Sequence, residues 1–132
     1  MNNIDIVELL EKKIRSGMLI SKPFSELPYK IKGYGMRRGE KAVIYTIPGR
    51  KNLNKTHEKG INFSEFKKAF EHLNSSGELC SNWFKLNLYE CKKEGNCNFT
   101  TIGGIFELLG LAHSKKIGKR EVIYIKDNKN QF

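Results

Sequence analysis

The sixteen residues from Cys97 to Ala112 carry a single charge, Glu107. In a chain whose formal net charge is +10, a segment so poor in charge is driven out of water, and it predicts a central core helix. Ile102, Ile105, Phe106, Leu108 and Leu109 give that helix an apolar surface wide enough to be covered on several sides. Thr100 or Thr101 is placed to cap its first turn. Gly110 is placed to end it, with Leu111 falling back on Phe106 as in a Schellman cap.

The remaining elements follow from their own patterns. Asn2 or Asn3 is expected to start a first helix reaching about Ser16, with Ile6, Val7, Leu10 and Ile14 as its apolar stripe and Gly17 as its end. Met18 to Pro28 reads as a connection laid on the surface by Leu19, Ile20 and Phe24. Strand-like runs at 29–36 and 41–48 flank Arg37-Arg38-Gly39-Glu40, a turn of hairpin length. Residues 49–60 are polar, basic and without period, and are expected to form a loop. Asn62 and Glu65 have capping-box spacing, and Phe63, Phe66, Phe70 and Leu73 then recur on one helical face. A short helix at 78–88, a loop at 89–98 and, after the core helix, a hairpin at 111–126 complete the chain, with 127–132 as a frayed tail. The expected fold is a single α+β domain over 1–126: an N-terminal helix, two β-hairpins and a three-helix middle, winged-helix-like in layout.

The sign and placement of charge bear on function. There are 24 Lys and Arg against 14 Asp and Glu, a balance that suits a polyanionic partner. Residues 29–60 hold nine basic and two acidic groups, and residues 111–132 hold six and two, while 61–110 are nearly neutral. The excess therefore belongs to the two hairpins and the segment after the first. A recognition helix needs Arg, Lys, Asn or Gln on its outer face to meet base edges; residues 100–110 contain none, so the usual winged-helix docking is not expected. The candidate nucleic-acid contacts are Lys30, Lys32, Tyr34, Arg37, Arg38, Lys41, Arg50, Lys51, Lys55 and Lys59, with Lys115, Lys116, Lys119 and Arg120 from the second hairpin. If the first strand alternates without a bulge, Lys30, Lys32 and Tyr34 share a face where charge tracks a backbone and the ring stacks a base. The plainer reading of the same lysines is a solvated sheet edge kept from pairing.

Other chemistry is thinly represented. Gly33 and Gly35 around Tyr34 suit either an anion nest or a bulge. Gly103-Gly104 suits either an anion at a helix start or close backbone packing, and packing is the better fit. Cys80, Cys91 and Cys97 are odd in number and lack C-x-x-C spacing, which fits a reducing compartment and inert thiols better than disulfides or zinc, even with His72 as a fourth ligand. Cys91-Lys92-Lys93 is the one place where neighbouring cations would favour thiolate. His57 and His113 beside basic segments would serve a metal-free ribonuclease, a reading ranked behind non-enzymatic binding. No catalytic residue, metal or cofactor is assigned. Asp5, Glu8 and Glu11 interrupt any apolar leader, and no apolar run approaches a membrane span, so a cytoplasmic protein without a membrane partner is expected.

The runs from Gly33 to Glu40 and from Cys97 to Gly104 resemble small uncharacterised bacterial proteins of mobile-element or integron gene-cassette type. The resemblance implies no activity and no site residue. The leading expectation is a protein that binds DNA or RNA without catalysis, through its basic hairpins and the 49–60 segment. The alternative is a protein-interaction or self-associating module that docks through an edge strand or through the aromatic cluster of Trp83, Phe84 and Tyr89.

Overall fold

The computed structural model describes residues 4–49 and 56–127. Among these residues the fold is α+β, with five helices, a four-stranded antiparallel sheet and a smaller three-stranded one. Asp5 starts helix α1 (Ile6–Lys13) by accepting the backbone N–H groups of Val7 and Glu8. Asn2 and Asn3 lie outside the described residues, and the helix stops short of Ser16.

The first sheet has the order β1 (Leu19–Ile20), β2 (Tyr29–Arg37), β3 (Glu40–Pro48), β4 (Thr56–Asn62). β3 is central, and its consecutive residues Ala42, Val43, Ile44 and Tyr45 are all buried. Residues 56–60, expected as loop, are instead the outer strand of this sheet, paired from Pro48↔Thr56 to Ala42↔Asn62. An edge strand needs an apolar residue only where it meets the core, here Ile61, and its exposed His57 and Glu58 hid the pattern. Arg50, Lys51 and Lys55 lie outside the described residues.

Asn62 then starts α2 (Phe63–Ser76). Its Oδ1 accepts the Glu65 N–H at 3.0 Å while a Glu65 carboxylate oxygen accepts the Asn62 N–H at 2.8 Å, the reciprocal capping box that the spacing predicts. After β5 (Glu78–Leu79) the chain forms α3 (Ser81–Asn87) and α4 (Tyr89–Glu94). The middle thus has four helices instead of three, because Leu88 leaves helical backbone geometry between α3 and α4 and buries its side chain. Residues 89–94, expected as loop, belong to the second of these helices.

α5 (Asn98–Leu108) is the core helix, and Phe99 and Thr101 to Phe106 are all buried. The Leu111 N–H donates to the Phe106 carbonyl at 2.9 Å, the bond expected of the Schellman turn at Gly110. Its N-terminus differs from expectation: Thr100 Oγ1 donates to the Cys97 carbonyl at 3.1 Å and Thr101 lies one turn inside, so neither threonine caps. The closing hairpin is β6 (Ala112–Gly118) and β7 (Glu121–Lys126), and the small sheet has the order β5-β7-β6. One apolar cluster joins everything: Leu10 and Ile14, the inner sheet residues Ile31, Val43, Tyr45 and Ile61, the phenylalanines of α2 and α5, and Tyr124 of β7. Among the described residues no helix is long and apolar enough to cross a membrane.

Candidate nucleic-acid interface

The first hairpin pairs most of its cations with acids. Ile31 pairs with Tyr45 while Gly33 pairs with Ile44, so Lys32 is the extra residue of a β-bulge. A bulge shifts every later side chain to the other face. Tyr34 therefore joins the core face of Ile31 and Tyr45, opposite Val43, and is separated from Lys30. Its hydroxyl lies 2.8 Å from the Leu10 carbonyl, which also accepts the Ile14 N–H, and 2.9 Å from the Ile14 carbonyl just past the end of α1. Tyr34 anchors α1 to the sheet, and replacing it with phenylalanine is expected to lower stability by about 1 kcal/mol, read as a fall in the urea midpoint.

Arg38 and Gly39 both have positive φ, 50° and 80°, the two-residue hairpin turn whose twist suits antiparallel strands. That conformation aims the Arg38 guanidinium back at α2. Its Nε and one terminal nitrogen donate to both Glu65 oxygens at 2.8 and 2.6 Å, the same nitrogen reaches the Gly60 carbonyl at 2.9 Å, and the other meets Glu94 of α4. The hydrogen bonds it donates to Glu65 hold the guanidinium more firmly protonated than usual. Arg37 donates to the second Glu94 oxygen at 3.2 Å, and Lys59 to the Glu94 carbonyl at 2.6 Å. Lys32 pairs with Glu58, and Lys41 with Glu11 at 2.8 Å. Of the described cations named on or beside this hairpin, Lys30 alone is exposed without an ion pair or hydrogen bond among the described residues.

The reactive side chains are likewise placed structurally. Cys91 is fully buried and burial pushes its thiol up, the opposite of the activation that Lys92 and Lys93 suggested. Among the described residues no three His, Cys, Asp or Glu side chains are gathered to hold a metal. His72 stacks on Trp83 with ring centroids 4.4 Å apart. Phe84 is 2% exposed, so of the aromatic cluster only Tyr89 stands well out.

A groove is formed by two adjoining clefts. A cleft of about 510 Å³ opens between the connection 22–27 and the end of β3, and a second of about 390 Å³ runs between α3, α4 and β7. The two share Phe24 and Thr100. Lys85, Lys92 and Arg120 line the second cleft, and Lys116 of β6 sits 5.3 Å over the Phe24 ring. None of these four forms an ion pair among the described residues. Glu26 and Glu121 are the acids in the same walls. Phe24 is 44% exposed. Lys115 and Lys119 are exposed on the same hairpin.

No protein family, curated protein or solved structure matches this chain.

Of the residues around the groove, Lys116 and Arg120 are among the cations that the sequence names as candidates, and Lys85, Lys92, Phe24 and Lys22 are not. Lys85 and Lys92 are hidden in a segment whose net charge is close to zero. Lys22 does leave a trace, a lone lysine between Leu19-Ile20 and Pro23-Phe24. It is only 8% exposed, and its ammonium donates to the Thr101 hydroxyl at 2.8 Å and the Cys97 carbonyl at 3.1 Å.

Proposed function

We propose that the chain binds single-stranded nucleic acid without catalysing a reaction on it, along the groove shared by the 22–27 connection, α3, α4 and the β6–β7 hairpin. A strand without a partner presents phosphates at the edge and open base faces inside, and such strands are held by cations that track the backbone and by rings that stack. The observation that carries the reading is the set of four cations, Lys85, Lys92, Lys116 and Arg120, that form no ion pair among the described residues and lie about the exposed ring of Phe24. Lys115 and Lys119 extend the same charge along the hairpin. The arginines of the first hairpin serve the fold, since their donors are committed to Glu65 and Glu94.

The core helix offers the groove no cation, lining it only with Phe99 and Thr100. This favours the basic β-strands and neighbouring helix ends over helix insertion into a duplex groove. Four neutralised phosphates on a single strand release about 0.7 counterion each, so affinity for a labelled oligothymidylate falls about 50-fold between about 50 and 200 mM salt. Fluorescence anisotropy at the two ionic strengths measures it. Absence of binding at the lower salt, or an affinity indifferent to salt, contradicts the proposal.

A further inference from the structure

Lys22 is a buried amine without an anionic partner. No carboxylate lies within ion-pair distance of it among the described residues, and burial lowers its pKa to about 7, opposed by the nearby Cys97 thiol. The groups that face it are Thr101 of α5 and the carbonyl of Cys97 just before that helix, the Tyr29 ring from β2 at 4.3 Å, and the Tyr45 ring from β3 at 6.0 Å. The ring faces favour the ammonium. Glu26 is the acid on the same cleft wall. Lys22 lines the larger cleft, whose other walls include Phe24, Leu27, Tyr29, Ile47 and Pro48, a volume and lining suited to a small aromatic molecule.

We infer that Lys22 is a carbonyl-reactive amine, which forms an imine with a small aromatic aldehyde admitted to this cleft. The lone pair of the neutral amine attacks the carbonyl carbon, the C–N bond forms, and the carbonyl electron pair moves to oxygen, which takes up the proton released from nitrogen. Loss of that hydroxyl with the remaining nitrogen proton, as water, leaves the C=N bond. Thr101 Oγ1 and the Cys97 carbonyl hold the amine against the cleft wall while it reacts. A lysine that is half neutral near pH 7 offers about a thousandfold more free amine than one of ordinary pKa, a lead that lower basicity only partly offsets.

The inference stands apart from nucleic-acid binding, and its test contains no nucleic acid. Salicylaldehyde with cyanoborohydride traps imines as stable secondary amines, which peptide mass spectrometry assigns to individual lysines. At pH 7, Lys22 is expected to be labelled at least about tenfold faster than the exposed Lys30 and Lys115, with a rate that levels off above about pH 8. Thr101→Val, which removes one acceptor from the ammonium, shifts the half-maximal pH downward. Lys22→Met abolishes the fast label and leaves the slow ones. Labelling of Lys22 no faster than of the exposed amines in the unaltered protein, or a rate still rising to pH 10 in parallel with theirs, overturns the inference whatever the folding of the variants.

Discussion

Replacing Gly103 with alanine is expected to lower stability by about 3 kcal/mol or more, near the upper end of what overpacking costs. A Cβ on Gly103 would stand 2.2 Å from two ring carbons of Tyr124. That ring has nowhere to go. It is fully buried, it packs edge-on against Phe99 with centroids 5.5 Å apart, and its strand is paired on both sides by β5 and β6. Urea unfolding of Gly103→Ala measures the loss, and adding Tyr124→Leu, which removes the colliding ring, should recover part of it. If the glycine mattered only for backbone freedom, the second substitution would restore nothing.

Glu65→Ala should cost about 3–5 kcal/mol, the range for a buried charge pair from which one partner is taken. The carboxylate accepts two bonds from Arg38 and the Asn62 N–H. Its removal strands a guanidinium that is about four-fifths buried and opens the capping box at the start of α2. Glu65→Gln keeps one oxygen for the cap while losing the charge and one of the two acceptors facing Arg38, so it is expected to cost less than Ala. Both are read from urea midpoints, and equal midpoints for Ala and Gln would mean that the ion pair rather than the cap holds this corner.

Much of the scaffold is legible in the residues because each device is local. The capping box of α2, the Schellman end of α5 and the β-branched centre of β3 are all set by a few neighbouring side chains. What escapes the sequence depends on distant partners. The bulge at Lys32 turns Tyr34 from a stacking ring into an anchor for α1, and nothing in the alternation of 29–36 announces it beyond Gly33. β4 is a strand because β3 offers it a ladder, not because of its own apolar period. Charge behaves in the same way: the richest basic segment is substantially neutralised by Glu11, Glu58, Glu65 and Glu94, acids largely from other elements. The groove draws two of its four cations from a segment that sums to almost nothing. Net charge along a chain does not reveal which cations will find anions once it folds.

The buried Lys22 shows the same limit. Its neighbours in sequence make it an interruption in an apolar stretch, and only the fold brings Thr101, Tyr29 and Tyr45 around it. With the cleft beside Phe24, it gives the molecule two features of different chemistry on one side: a cationic groove and a reactive amine.

The most direct measurement compares two charge reversals by anisotropy against the same labelled oligothymidylate at low salt. Arg120→Glu, in the groove, is predicted to weaken binding at least about tenfold, whereas Lys30→Glu, an exposed and unpaired cation on the first hairpin, should change it by less than about threefold. The reverse ranking, or equal losses from both, would contradict the groove as the place where a nucleic acid is held.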